Sequence, residues 1–76
     1  MRSASMDRTS IYDELNRVER DVVAGERQLA EQERLVLDLK RDGQDIAKAE
    51  KELERLRQCQ RLLDQDRQRL LSLLQP

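Results

Sequence analysis

Histidine is absent from this chain, glycine occurs twice, proline and cysteine once each, and Tyr12 is the one aromatic residue. Each scarcity excludes something. Without histidine there is no Ser/His or Cys/His nucleophile pair, and no Glu-x-x-His iron-binding pattern of the kind helical bundles use. Two isolated glycines cannot form a phosphate-cradling loop. A lone cysteine, Cys59, makes neither a zinc site nor an intramolecular disulfide framework. The chain therefore reads as a non-enzyme with no cofactor or metal. No apolar run approaches the roughly 18 to 20 residues that span a bilayer, and the opening MRSASMDRTS lacks the apolar segment of a signal peptide. With a single thiol suited to a reducing compartment, this points to a cytoplasmic protein without membrane attachment.

What remains is helix-forming and charged. The 76 residues make one domain near the lower size limit for a self-sufficient core. Charged residues are 41% of the chain, yet 15 bases against 16 acids leave a net charge of −1. That balance gives no global pull towards nucleic acid or anionic lipid. High charge with low hydropathy also suits a disordered chain, but apolar periodicity argues for order. Leu, Glu, Arg, Gln and Ala dominate, which predicts an all-α fold.

Ile11, Leu15, Val18, Val22, Gly25, Leu29, Gln32, Val36 and Leu39 follow alternating steps of four and three, a heptad seam. Carried on in the same phase, the seam meets Gly43, Ile46, Glu50, Leu53, Arg57, Gln60 and Asp64, about half of them charged or glycine. In a shifted phase it resumes as Ile46, Ala49, Leu53, Leu56, Gln60, Leu63, Arg67, Leu70 and Leu74. The phase jump, the bases Lys40 and Arg41 before it, and a glycine able to close a helix in the left-handed conformation predict a turn. A continuous rod through the glycine is the rival. Ser10 is a candidate N-cap for the first helix with Asp7 competing, and Asp45 is the candidate cap of the second. The reading is an antiparallel hairpin: a mobile arm over 1–9, a helix over 10–41, a turn at 42–45 and a helix over 46–74. The fold-back pairs positions summing to about 86 to 88 and sets Glu19, Glu26 and Glu33 near Arg67, Arg61 and Arg55.

Apolar residues exceed what one interface can bury. Val23, Ala30 and Leu37 form a second stripe at heptad spacing, and Leu35, Leu62, Leu71 and Leu73 are further surplus. The economical solution is a homodimer of hairpins, an antiparallel four-helix bundle; a helix from another protein is the alternative. Gly25 reads as a hole for a close neighbour such as Leu63, against a tolerated helix defect. Gln32, Gln60 and Arg67 on the seam either fix register or mark where it opens to water. Cys59 reads as a small buried apolar residue, with an intermolecular disulfide possible only where two copies meet at a symmetry axis. Arg55, Arg57, Arg61, Arg67 and Arg69 form the densest basic run, but they do not share one face. Arg57 and Arg61 are its weak nucleic-acid candidates, with solvated ion pairs the stronger reading. RLLSLL is amphipathic but too short for membrane attachment alone.

Certain residues carry a resemblance: GER at Gly25 to Arg27, Gln32, RDG at Arg41 to Gly43 with Asp45 beyond, the terminal Arg69 to Leu71, and MDR at Met6 to Arg8. Over residues 6–74 the chain resembles a group of short uncharacterised helical-hairpin proteins of alphaproteobacteria, rhizobia-like genomes in particular. Their MDR opening implies Met6 as an alternative start to Met1. The group often has threonine after the aspartate; Ile46 here shifts capping to Asp45. The resemblance implies a bacterial cytosolic hairpin and carries no activity or site residues. Three functions stay open: a self-associating structural or interaction module, an RNA-binding hairpin dimer of the architecture of the plasmid-control protein Rop, and a regulator that sequesters a partner helix.

Overall fold

The computed structural model describes residues 7–75, which form an α-helical hairpin. Helix α1 spans Arg8–Arg41 and α2 spans Ala47–Leu74, packed along each other in opposite directions. There is no strand among the described residues. Of the arm expected over 1–9, residues 1–6 lie outside the described residues, while Arg8 and Thr9 belong to α1.

The start of α1 differs from the expected cap at Ser10. Asp7 is extended (φ −82°, ψ 174°), and its Oδ1 accepts the Ser10 amide at 2.8 Å. Ser10 is thus the third helical residue and the donor. The stretch Asp-Arg-Thr-Ser offers acceptors three residues apart, and the carboxylate wins because its full charge faces the positive end of the helix. The Ser10 amide, the largest influence on it, holds the Asp7 carboxyl below its ordinary pKa.

The other end of α1 closes through a pair of nested bonds. Gly43 takes φ 70°. Its amide donates to the Lys40 carbonyl at 3.1 Å, and the Gln44 amide donates to the Leu39 carbonyl at 2.9 Å. This is a Schellman closure, with glycine at the left-handed position. The chain then turns, and the Asp45 carboxylate accepts the Ala47 amide at 3.0 Å. Ile46, expected to open the second helix, instead occupies the position before its first helical residue. Its carbonyl accepts the Glu50 amide at 2.8 Å.

The seam is where the helices meet, and it buries two apolar clusters rather than one. Near the open end Ile11, Leu15, Val18 and Leu70 pack together, with Val22, Leu71 and Leu74 against them. Near the turn Val36, Ala49 and Leu53 form the second cluster, supported by Leu29 and Leu39. Leu70 alone among these is wholly enclosed. Two helices cannot surround a side chain unless neighbours along both of them close over it.

The open end has a clasp that the sequence reading placed in the mobile arm. Arg8 Nη1 donates to the Leu74 carbonyl at 3.3 Å, while its guanidinium lies 5.9 Å from the centre of the Tyr12 ring. The last turn of α2 contains no base of its own. Arg8 brings a cation to that negative helix end from the other helix.

Two outcomes follow from these helix ends. A Cβ at Gly43 meets nothing within 4 Å, so Gly43→Ala feels backbone strain alone. Thermal unfolding should show a loss of about 1 kcal/mol, with Gly43→Asn losing less. Asp7 binds its proton more weakly folded than unfolded, so its stabilisation is present above the ordinary carboxyl pKa and is lost as pH falls through the folded value. Following the Ser10 amide shift by NMR should give a midpoint below 3.8; a midpoint at or above it would rule out the cap.

Candidate association surface

Between the two clusters the seam is mixed, with half-buried Leu56 and Leu63 alongside Gln60. Gln60 Nε2 donates to the Val22 carbonyl of α1 at 2.9 Å, and Gln32 Nε2 donates to the Ala49 carbonyl of α2 at 2.9 Å. Each helix thus sends one amide across to the backbone of the other, and no buried side-chain polar atom among the described residues lacks a partner. Both glutamines are half-buried, and each ties its own helix to the backbone of the other, which favours one register.

Gly25 makes the first of these bonds possible. A Cβ there would overlap Gln60 Oε1 and stand 3.1 Å from Gln60 Cδ. The hole expected to receive Leu63 is filled by the Gln60 amide. A helix interior glycine costs about 1 kcal/mol relative to alanine, which is comparable to the net worth of the hydrogen bond it admits.

Ion pairs line the seam unevenly. Arg67, a seam residue, reaches Glu19 at 3.4 Å as expected from the fold-back. The other expected pairs do not form. Arg55 binds Glu52 of its own helix at 2.6 Å, Arg61 binds Glu54 at 3.3 Å, and Glu33 meets Arg57 at 3.8 Å. The reason is helical phase: two residues before Arg57, Arg55 projects about 200° away around α2 and leaves the flank that carries the α1 glutamates. Arg57 and Arg61, the nucleic-acid candidates, both have the Glu54 carboxylate within 4.0 Å. These exposed pairs contribute a few tenths of a kcal/mol each, enough to favour one register.

Beyond the seam lie apolar side chains that the hairpin leaves in water. Val23 and Leu37 are 57% and 65% exposed, and Ala30 between them is exposed as well. All three lie on one flank of α1 outside the seam, with Leu37 bordering an open groove that Leu53 and Arg57 of α2 also line. Leu35 and Leu62 are exposed elsewhere, Leu35 bordering an open groove with Leu39 and Ala49. Leu71, expected among the surplus, is half-buried against the open-end cluster. Cys59 departs from its reading as a buried residue: its thiol is exposed on α2.

One feature of this surface escaped the sequence reading. Arg20, Arg27 and Arg34 recur every seven residues on α1 beside the Val23–Ala30–Leu37 stripe. They are exposed and take no part in the ion pairs among the described residues. The densest run of arginines lies on α2; helical phase, not density, marks this row.

No helix among the described residues is long and apolar enough to cross a membrane, and no group of three or more potential metal ligands occurs among them. No family model matches the chain, and neither a curated protein nor a solved structure shows significant similarity to it.

The Gly25–Gln60 contact makes substitutions there non-additive. Gly25→Ala alone should leave stability within about 1 kcal/mol of the parent, because the gain in helix propensity is offset by displacement of the Gln60 amide. In a Gln60→Ala background, the same Gly25→Ala change should stabilise by about 1 kcal/mol. A denaturant double-mutant cycle measures both, and strict additivity would refute the contact.

Proposed function

We propose that this chain is a small, non-enzymatic structural module that acts through association, presenting a helical surface to a second copy of itself. The observation that carries this reading is the row Val23, Ala30 and Leu37. It repeats at heptad spacing, yet the two bulkier members are more than half exposed in the hairpin. A hairpin gains little from apolar residues that it leaves largely exposed, whereas a further helix packed on them would bury them. The residue inventory supports the non-enzymatic part: without histidine or a glycine-rich loop, the usual nucleophile and phosphate-binding arrangements have no parts to draw on. An exposed single thiol suits the reducing interior of a cell, so we place the module in the cytoplasm.

Light scattering over a dilution series of the reduced protein tests the reading. The expected mass is twice the 9.0 kDa chain mass, falling towards the chain mass on dilution. A helical monomer at every concentration would overturn self-association. The same stripe would then call for a helix from another protein.

A further inference from the structure

We propose that two copies dock along the outer face of α1 in parallel register, with Val23, Ala30 and Leu37 meeting their own counterparts. Glutamates of one copy then face arginines of the other. This rests on the self-association reading and adds the face and the orientation.

The face has a three-row pattern. The central row is Val23, Ala30 and Leu37. Along the edge nearer α2 run Glu19, Glu26 and Glu33, each four residues before a central one; along the outer edge run Arg20, Arg27 and Arg34, each three residues before one. At 1.5 Å per residue each row repeats about every 10.5 Å. One edge is acidic at all three levels, and the other is basic at all three.

That pattern decides orientation. When two helices pack in parallel about a twofold axis, the left edge of one faces the right edge of the other. Glu19, Glu26 and Glu33 would then face Arg20, Arg27 and Arg34 of the second copy, at heights differing by one residue. In an antiparallel pair each edge faces itself, stacking carboxylates on carboxylates and guanidiniums on guanidiniums. Only the parallel pair is complementary. The arginines have no partner within the hairpin among the described residues, nor does Glu26. Glu19 and Glu33 each bind one arginine of α2, and a carboxylate can accept from a second. The pattern ends at the turn, where Lys40 and Arg41 occupy the two edges and Asp38 neutralises Arg41 at 3.2 Å.

The competing surface is the flank around Leu35, where an additional pair of helices would complete a four-helix bundle. The groove beside Leu35 carries the carboxylates Asp45 and Glu52 together with the bases Lys48, Lys51 and Arg55, and Arg55 already holds Glu52 at 2.6 Å. Its charges are mixed instead of sorted by edge, so that flank offers no row of one sign to face a row of the other.

Cysteine cross-linking separates the arrangements. In a Cys59→Ser background of the full chain, Val23→Cys, Ala30→Cys and Leu37→Cys are made singly and oxidised at equilibrium. The substituted positions are exposed, so circular dichroism should remain that of the parent hairpin. Parallel docking predicts a covalent dimer from each variant alone. An antiparallel pair centred on Ala30 would instead cross-link Ala30→Cys with itself and Val23→Cys only with Leu37→Cys, which overturns the proposal. A doubled mass without cross-linking at any of the three would also overturn it, while leaving self-association standing. A monomeric mass throughout would remove both.

Charge exchange provides an independent reading. Glu26→Arg and Arg27→Glu touch no ion pair of the hairpin, and each should weaken self-association by roughly three- to tenfold. An equimolar mixture of the two should recover a heterodimer, since both reversed contacts become opposite in sign. Failure of the mixture to recover would rule out the parallel pairing.

Discussion

One backbone conformation governs the hairpin: the left-handed turn at Gly43. An L-residue with a side chain pays strain there, and a continuing helix is impossible once the Gly43 and Gln44 amides have bonded back to Lys40 and Leu39. Everything downstream depends on the short connection that results. It leaves α2 no direction but back along α1, and it sets which residues face one another. Gln60 then meets Val22, Gln32 meets Ala49, and Arg8 meets Leu74 at the far end. The turn needs no side-chain packing of its own, and its cost is confined to one residue.

The interface this turn creates has an apolar cluster at each end and a middle in which Gln60 interrupts the leucines Leu56 and Leu63. An uninterrupted leucine seam would hold more apolar surface but would allow the helices to slide by a turn with little penalty. Two amides that each find a carbonyl on the opposite helix remove that freedom, because a slip would strand both in a partly dry place. Gly25 is part of the same device: its missing side chain gives the Gln60 amide room to reach the α1 backbone. The core therefore gives up some apolar burial to define one alignment.

Periodicity carried most of this architecture into plain view. Seam residues from Ile11 to Leu39, the phase jump at Gly43 and the resumption through Leu53 and Leu70 could be read because a helix repeats its contacts at a fixed interval. The helix ends were less legible. Asp7 and Ser10 are both good cap residues, and only the geometry shows Ser10 donating to Asp7. Arg8 was beyond reach for a different reason: a long side chain can bind a carbonyl 66 residues away, and no local pattern announces that. The ion-pair partner failed at Arg55 because a sum of residue numbers fixes height along the hairpin but not direction around it, while Arg61 shares the flank of Arg57 yet binds Glu54 of its own helix. The unpaired arginines of α1 were legible in principle, since they need only helical phase.

A net charge near zero conceals this arrangement, because opposite charges are sorted by edge instead of mixed. Sorting matters only at contact range. The screening length in physiological salt is about 8 Å, shorter than the roughly 10.5 Å between successive rungs on one edge. Each Glu–Arg rung therefore acts nearly independently, and the field of the whole helix has little power to orient an approaching copy. Orientation would arise only as rungs come together, three in the parallel arrangement and none in the reverse. Apolar burial has no such preference, because Val23, Ala30 and Leu37 are placed symmetrically about Ala30 and would align equally well either way. In the proposed dimer the apolar row would attract without choosing an orientation and the charged rungs would choose it, so a change at Glu26 or Arg27 would weaken the parallel arrangement in particular.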